Sequence, residues 1–131
     1  MGRRSVKLLT DTHALVWALS SPEALGPGAR EALAASPFTP SVANLWELVL
    51  KTRKPGALIA DPLPWWEKYV VRSGIRVLPI RTRHIAALAA LPDLHKDPFD
   101  RIPVAQALAE DLTLTSKDAV LARYGAPVVW D

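Results

Sequence analysis

Short β-compatible runs alternate with amphipathic stretches along all 131 residues. No other feature narrows the possible folds as much, because it predicts βα units on a parallel sheet. The first run, Val6-Lys7-Leu8-Leu9-Thr10, ends in Asp11 and passes directly into helical spacing over 11–19. In α/β folds ligands bind beyond the carboxyl ends of the strands, where a change in strand order opens a crevice. Asp11 is therefore the first candidate functional residue.

The remaining elements follow from punctuation and period. Ser20-Ser21-Pro22 interrupts the first helix, and Pro22 is expected to lead a second one to about Ala34. Residues 38–41 read as extended. A helix over 41–54 sets Leu45, Leu48, Val49 and Thr52 on one face and Glu47, Lys51 and Lys54 on the other, and Pro55-Gly56 stops it. Residues 62–73 form a further helix with Trp65, Trp66, Tyr69 and Val70 as its bulky side, closed by Gly74. The run 75–80 is strand-like, and Pro79 makes it an edge strand or an inner one that ends there. An Ala-rich helix covers 82–91. A polar loop, His95-Lys96-Asp97-Pro98-Phe99-Asp100-Arg101, enters a helix lasting to about Asp111. A strand over 112–115, a helix over 116–124 capped by Gly125, and a last strand over 128–130 complete the chain. Pro103 cannot donate to the carbonyl of Phe99, so a kink or a tight first turn is expected there.

Length and composition describe one domain over 1–131 with enough apolar residues, 50%, for a proper core. Without cysteine there is no disulfide framework, thiolate nucleophile or Cys-based zinc site. A cytoplasmic, membrane-free protein is expected, since the apolar run behind Met1-Gly2-Arg3-Arg4 is cut by Asp11 and the Ala/Leu-rich run over 85–91 is too short to span a bilayer. Net charge is +3, from 16 Lys and Arg against 13 Asp and Glu. If several acids share one pocket, the surface around it is more basic still, which suits a polyanionic substrate as well as plain solubility.

Three acids stand at element junctions, Asp11 after a strand, Asp100 at a helix start and Asp118 after a strand, and a fourth, Glu47, lies inside a helix. One pocket at the strand-to-helix edge is able to collect them. Clustered carboxylates repel one another unless a cation neutralises them. Oxygen donors without cysteine point to Mg2+ or Mn2+ rather than zinc. Each acid also has an ordinary reading: Asp11 as an N-cap, Glu47 as the i, i+4 partner of Lys51, Asp118 as a first-turn acid, and Asp97 with Asp100 as a helix-capping pair. His13, His84 and His95 form no ligand pair, and His95 lies nearest the acids in sequence. The five tryptophans read as core or interface anchors.

With these residues in view, the chain resembles the PIN-domain ribonucleases, and among them the VapC-type toxins of toxin–antitoxin pairs. The resemblance rests on the segment Leu8-Leu9-Thr10-Asp11-Thr12-His13-Ala14-Leu15-Val16-Trp17, on Ser41-Val42-Ala43-Asn44-Leu45-Trp46-Glu47, and on the loop from His95 to Arg101 followed by Ala105-Gln106-Ala107. The closing segments Leu112-Thr113-Leu114-Thr115-Ser116-Lys117-Asp118 and Tyr124-Gly125-Ala126-Pro127-Val128-Val129-Trp130 complete it. Ser116 stands where threonine is usual, and Ile102-Pro103 replaces a pair of aliphatics. The resemblance implies a three-layer α/β/α fold with a mainly parallel sheet and Mg2+ or Mn2+ held by acids. It also implies cleavage of RNA, a homodimer, and inhibition by a cognate antitoxin. On it, Asp11, Asp100 and Asp118 ligate metal directly, and Glu47 acts through water or as a base. Thr12, Asp97 and Ser116 orient their neighbours, and Arg101 contacts phosphate or an acid.

Three other readings compete. A catalytically silent RNA- or protein-binding module of this fold has no use for four acids. A DNA-directed nuclease of the same architecture resembles larger chains with inserted DNA-gripping elements. A receiver-type domain wants paired acids after its first strand, where this chain has Asp11-Thr12-His13.

Overall fold

The structure is a computed structural model and describes residues 7–131. The basic start at 1–4 and the Val6 end of the expected first strand lie outside the described residues. Four parallel strands form the sheet in the order β2-β1-β3-β4: β1 (Leu8–Thr10), β2 (Phe38–Pro40), β3 (Thr113–Thr115) and β4 (Val128–Val129). Leu8 pairs with Phe38 on one side and Thr113 on the other, so β1 is central and wholly buried. The chain leaves β1 for β2 on one flank and later returns to β3 on the opposite flank. The order therefore switches between β1 and β3, and the crevice beyond their carboxyl ends is where Asp11 and Ser116 emerge.

Helices cover both faces, giving the three-layer α/β/α arrangement expected: α1 (Thr12–Ser20), α2 (Pro27–Ala35), α3 (Val42–Leu50), α4 (Pro62–Trp66), α5 (Thr82–Ala89) and α6 (Pro98–Glu110). One core gathers Leu9, Val104, Leu114, Leu121 and Tyr124 where α6 packs on the sheet. A second joins Leu15, Trp66 and Val70, and a third seats Trp17 and Trp130 against Ala14, Leu25 and Ala29.

Several elements differ from expectation for identifiable reasons. Residues 22–24 form a separate 3-10 turn, and α2 starts only at Pro27, its own first-position proline. The helix over 41–54 ends at Leu50, and its buried side is Ala43, Asn44, Glu47 and Leu48, while Val49 is exposed. Apolar character alone thus does not mark the inner face, because Asn44 and Glu47 also turn inward to meet Thr12. After α4 the chain continues as a π-helical turn, Glu67–Val71, with the Arg72 amide donating to the Glu67 carbonyl at 2.9 Å. Residues 75–80 add a single parallel bridge outside β2, where the Leu78 amide donates to Pro40 and its carbonyl accepts from Val42. Pro79 accordingly lies at an edge. Residues 119–124 are 3-10 rather than α-helical.

The kink expected at Pro103 is absent, for α6 runs unbroken through it. Only the bond to the Phe99 carbonyl is forfeited, close to the helix start, and the continuous buried run Ile102, Pro103, Val104, Ala105, Gln106 and Ala107 holds the segment in place. Tertiary packing here outweighs the local cost of proline.

Candidate active site

Asp11 is the N-cap of α1: its backbone N–H donates to the Thr115 carbonyl at 3.1 Å, and its Oδ1 accepts the Ala14 amide at 2.8 Å. Burial pushes its carboxyl above the ordinary range and nearby Glu47 adds to this, while hydrogen bonds from Ser116 and the Ala14 amide work the other way. The N-cap and candidate-ligand readings are compatible, since capping engages one carboxylate oxygen.

Glu47 comes in from α3. A capping box at the start of that helix, in which the Asn44 side chain accepts from the Ser41 amide at 2.8 Å, fixes its rotation about the axis. The Asn44 amide group donates to the Thr12 hydroxyl at 3.2 Å, and that hydroxyl donates to Glu47 Oε1. The second oxygen, Oε2, accepts from Lys51 Nζ at 2.5 Å. Thr12 thus relays between Asn44 and Glu47.

Asp100 is the third residue of α6. Burial raises its carboxyl first, then the charges of Asp97, Glu47 and Asp118, against a lowering from His95. That coupling identifies its neighbours. Asp97 caps α6 through Oδ1, accepting the Phe99 amide at 2.9 Å, and its Oδ2 is 3.5 Å from Lys51 Nζ. Asp118 caps the 3-10 turn through Oδ1 at 3.0 Å from the Val120 amide, while Oδ2 lies 3.0 Å from His95 Nε2. Ser116 accepts from the Asp118 amide at 3.1 Å and reaches Asp11, so one buried hydroxyl joins the acids after β1 and β3.

The structure therefore brings Asp11, Thr12, Glu47, Asp97, Asp100, Ser116 and Asp118 to one edge of the sheet. It does not bring Arg101 to them: that guanidinium holds Asp93 at 3.1 Å and the Leu91 carbonyl at 3.4 Å, in the loop before α6. Asn44, Lys51 and Tyr124, to which the sequence assigns no role in the site, join it, as does His95, the histidine nearest the acids in sequence. His95 spans Asp118 and the Tyr124 hydroxyl, 2.9 Å from Nδ1, and its position two residues before Asp97 was the available signal. For Asn44 the signal was the Ser41-x-x-Asn44 capping spacing, and for Lys51 its i, i+4 relation to Glu47.

Among the described residues, no three His, Asp or Glu side chains stand close enough as placed to hold a metal. The donor set nevertheless fits a hard divalent cation. Asp11 and Asp100 are both held above their ordinary range by burial and neighbouring carboxylates, and added positive charge would relieve that repulsion.

Comparison with known proteins identifies the fold. A model of the PIN domain matches residues 8–127. The chain belongs to the PIN-domain family. Among curated proteins no sequence matches it. Solved structures share the PIN fold at low identity. VapBC from Salmonella typhimurium, bound to DNA, is 16% identical with a TM-score of 0.69 over 95% of this chain and 97% of that one. FitAcB from Neisseria gonorrhoeae is 18% identical with a TM-score of 0.63 over 92% and 95%. A toxin–antitoxin complex from Klebsiella pneumoniae is 20% identical with a TM-score of 0.61 over 93% and 95%.

Proposed function

We propose that this PIN domain is a single-domain, metal-dependent endoribonuclease of the VapC type, the toxin of a toxin–antitoxin pair. The observation that carries the reading is the convergence of Asp11, Glu47, Asp100 and Asp118 at the β1/β3 switch point, with burial and mutual repulsion raising two of them. Asp11, Asp100 and Asp118 are the residues that would hold Mg2+ or Mn2+. When bound, such an ion makes water easier to deprotonate and offsets charge developing on phosphoryl oxygens.

The chain's own groups supply the rest. Ser116 orients Asp11 and fixes the backbone of Asp118. Thr12, Asn44 and Lys51 hold Glu47 facing the site, where the remaining lone pairs of its carboxylate can accept from a water. His95, backed by Tyr124, steadies Asp118. The basic balance of the chain favours a polyanionic substrate over the acidic pit alone.

A protein partner is supported by α3, where Val42, Trp46, Val49 and Leu50 follow helical spacing and all remain exposed. Such a stripe suits a homodimer or a bound antitoxin. That the similar solved structures are toxin–antitoxin complexes supports the second partner. No described helix is long and apolar enough to cross a membrane, and a cytoplasmic site of action fits an RNA substrate.

The test is incubation of the purified chain with structured and single-stranded RNA in Mg2+ or Mn2+, with and without excess EDTA, followed by mapping of the new RNA ends. Defined internal cuts that vanish with EDTA are expected. Cuts unaffected by EDTA, or none at all, would remove the reading.

A further inference from the structure

Lys51 occupies an unusual place for a lysine. It follows the last turn of α3, and its ammonium reaches across the mouth of the site to the first residues of α6. Nζ is 2.5 Å from Glu47 Oε2, 3.5 Å from Asp97 Oδ2 and 5.7 Å from the centre of the Phe99 ring. These contacts come from two helices and include an aromatic face, so the ammonium has a defined position. Its side chain is 38% exposed, whereas that of Glu47 is 12% exposed. Partial burial works against the charge on Lys51, but Glu47 and Asp97 outweigh it and hold the ammonium above its usual range.

The consequence for Glu47 is direct. One of its oxygens accepts from Thr12 and the other from Lys51. Both are engaged within the protein, whereas no hydrogen bond within the protein ties down the Asp100 carboxylate among the described residues. The acids thus divide into two groups. Glu47 and Asp97 are neutralised by a built-in cation, whereas among the described residues no lysine or arginine pairs with Asp11, Asp100 or Asp118. A dication between Glu47 and Asp97 would meet the ammonium at close range, and like charges there repel strongly.

We propose that Lys51 is a fixed cation standing where a second metal would otherwise bind, so that the site takes one divalent cation per chain. This inference rests on the metal-site reading above and deepens it. Lys51 is accordingly a positioning residue, which holds Glu47 in place and excludes a second ion.

Mn2+ binding to the full chain, followed by electron paramagnetic resonance of the free ion and by calorimetry without RNA, tests this. The parent and the charge-preserving Lys51→Arg are expected to take up one Mn2+ per chain. Lys51→Met, which leaves Glu47 and Asp97 without a counter-charge, is expected to take up two. Circular dichroism melts show whether each variant is folded, and the parent's stoichiometry tests the proposal without any variant. Two equivalents in the parent, or one in a folded Lys51→Met, would overturn the proposal while leaving a metal site. No uptake by the parent would instead overturn the metal-site reading itself.

Discussion

His84 Nε2 lies 2.7 Å from the carboxylate of Glu110, joining α5 to α6 on the side of the sheet away from the acids. His84 is buried, and its Nδ1 accepts the Arg81 amide at 2.9 Å, which leaves Nε2 as the protonated nitrogen that donates to Glu110. Arg83 donates to the same oxygen at 2.6 Å. The pair is a structural pin, which is why His84 has no place in the chemistry.

Acid stability should reveal this pin. Arg83 first and His84 second hold the Glu110 carboxyl down to about 2, below its ordinary 4.5. A depressed carboxyl contributes stability that is complete above the ordinary value and is lost as pH falls through the depressed one. Between about pH 5 and pH 2 the urea midpoint of the parent should therefore fall, and that of Glu110→Gln should start lower and fall less steeply. Parallel curves would show that Glu110 contributes nothing in this range.

The carboxyl end of the chain imposes a second requirement. A Cβ on Gly26 would run into the Trp130 carbonyl and indole ring, next to the point where the Ala29 amide donates to that carbonyl at 2.8 Å. Gly26→Ala should cost about 1–3 kcal/mol by overpacking, measured by denaturant unfolding. A neutral outcome would mean that Trp130 moves aside freely.

Thr12 matters to stability as well as to the site. Thr12→Val keeps the shape but strips a buried partner from both Glu47 and Asn44, which should cost about 1–3 kcal/mol. Thr12→Ser, which keeps the hydroxyl, should recover most of it. Equal stability of the two variants would contradict the relay.

Much of the fold could be read from local signals because local and tertiary preferences agree. Asp11 follows a buried strand, Gly74 and Gly125 carry φ of 71° and 98° at the turns they were expected to close, and Asp97-Pro98 opens α6. The misreadings arise where tertiary contacts prevail. Helical spacing sets Glu47 opposite the apolar face of α3, yet it is buried against Thr12 and Lys51. Conflict of this kind between pattern and burial is expected at a functional site. Pro103 by itself predicts a kink or a tight first turn in α6, but burial of the following turn keeps the helix unbroken. Arg101, expected to contact phosphate or an acid, does pair with an acid, but with Asp93, because the position after Asp100 faces another way around α6. The π-helical turn after Trp66 has no local signature in its residues.

On the proposed function, carboxylates at the β1/β3 switch point perform metal-dependent RNA cleavage. The most direct test compares cleavage of one RNA in Mg2+ by the parent, Asp11→Asn and Asp100→Asn, with folding followed by circular dichroism. Each variant should remain folded and lose activity by about 100-fold or more, several kcal/mol of barrier. Folded variants that cut RNA at the parent's rate would rule out a catalytic metal site built on these acids.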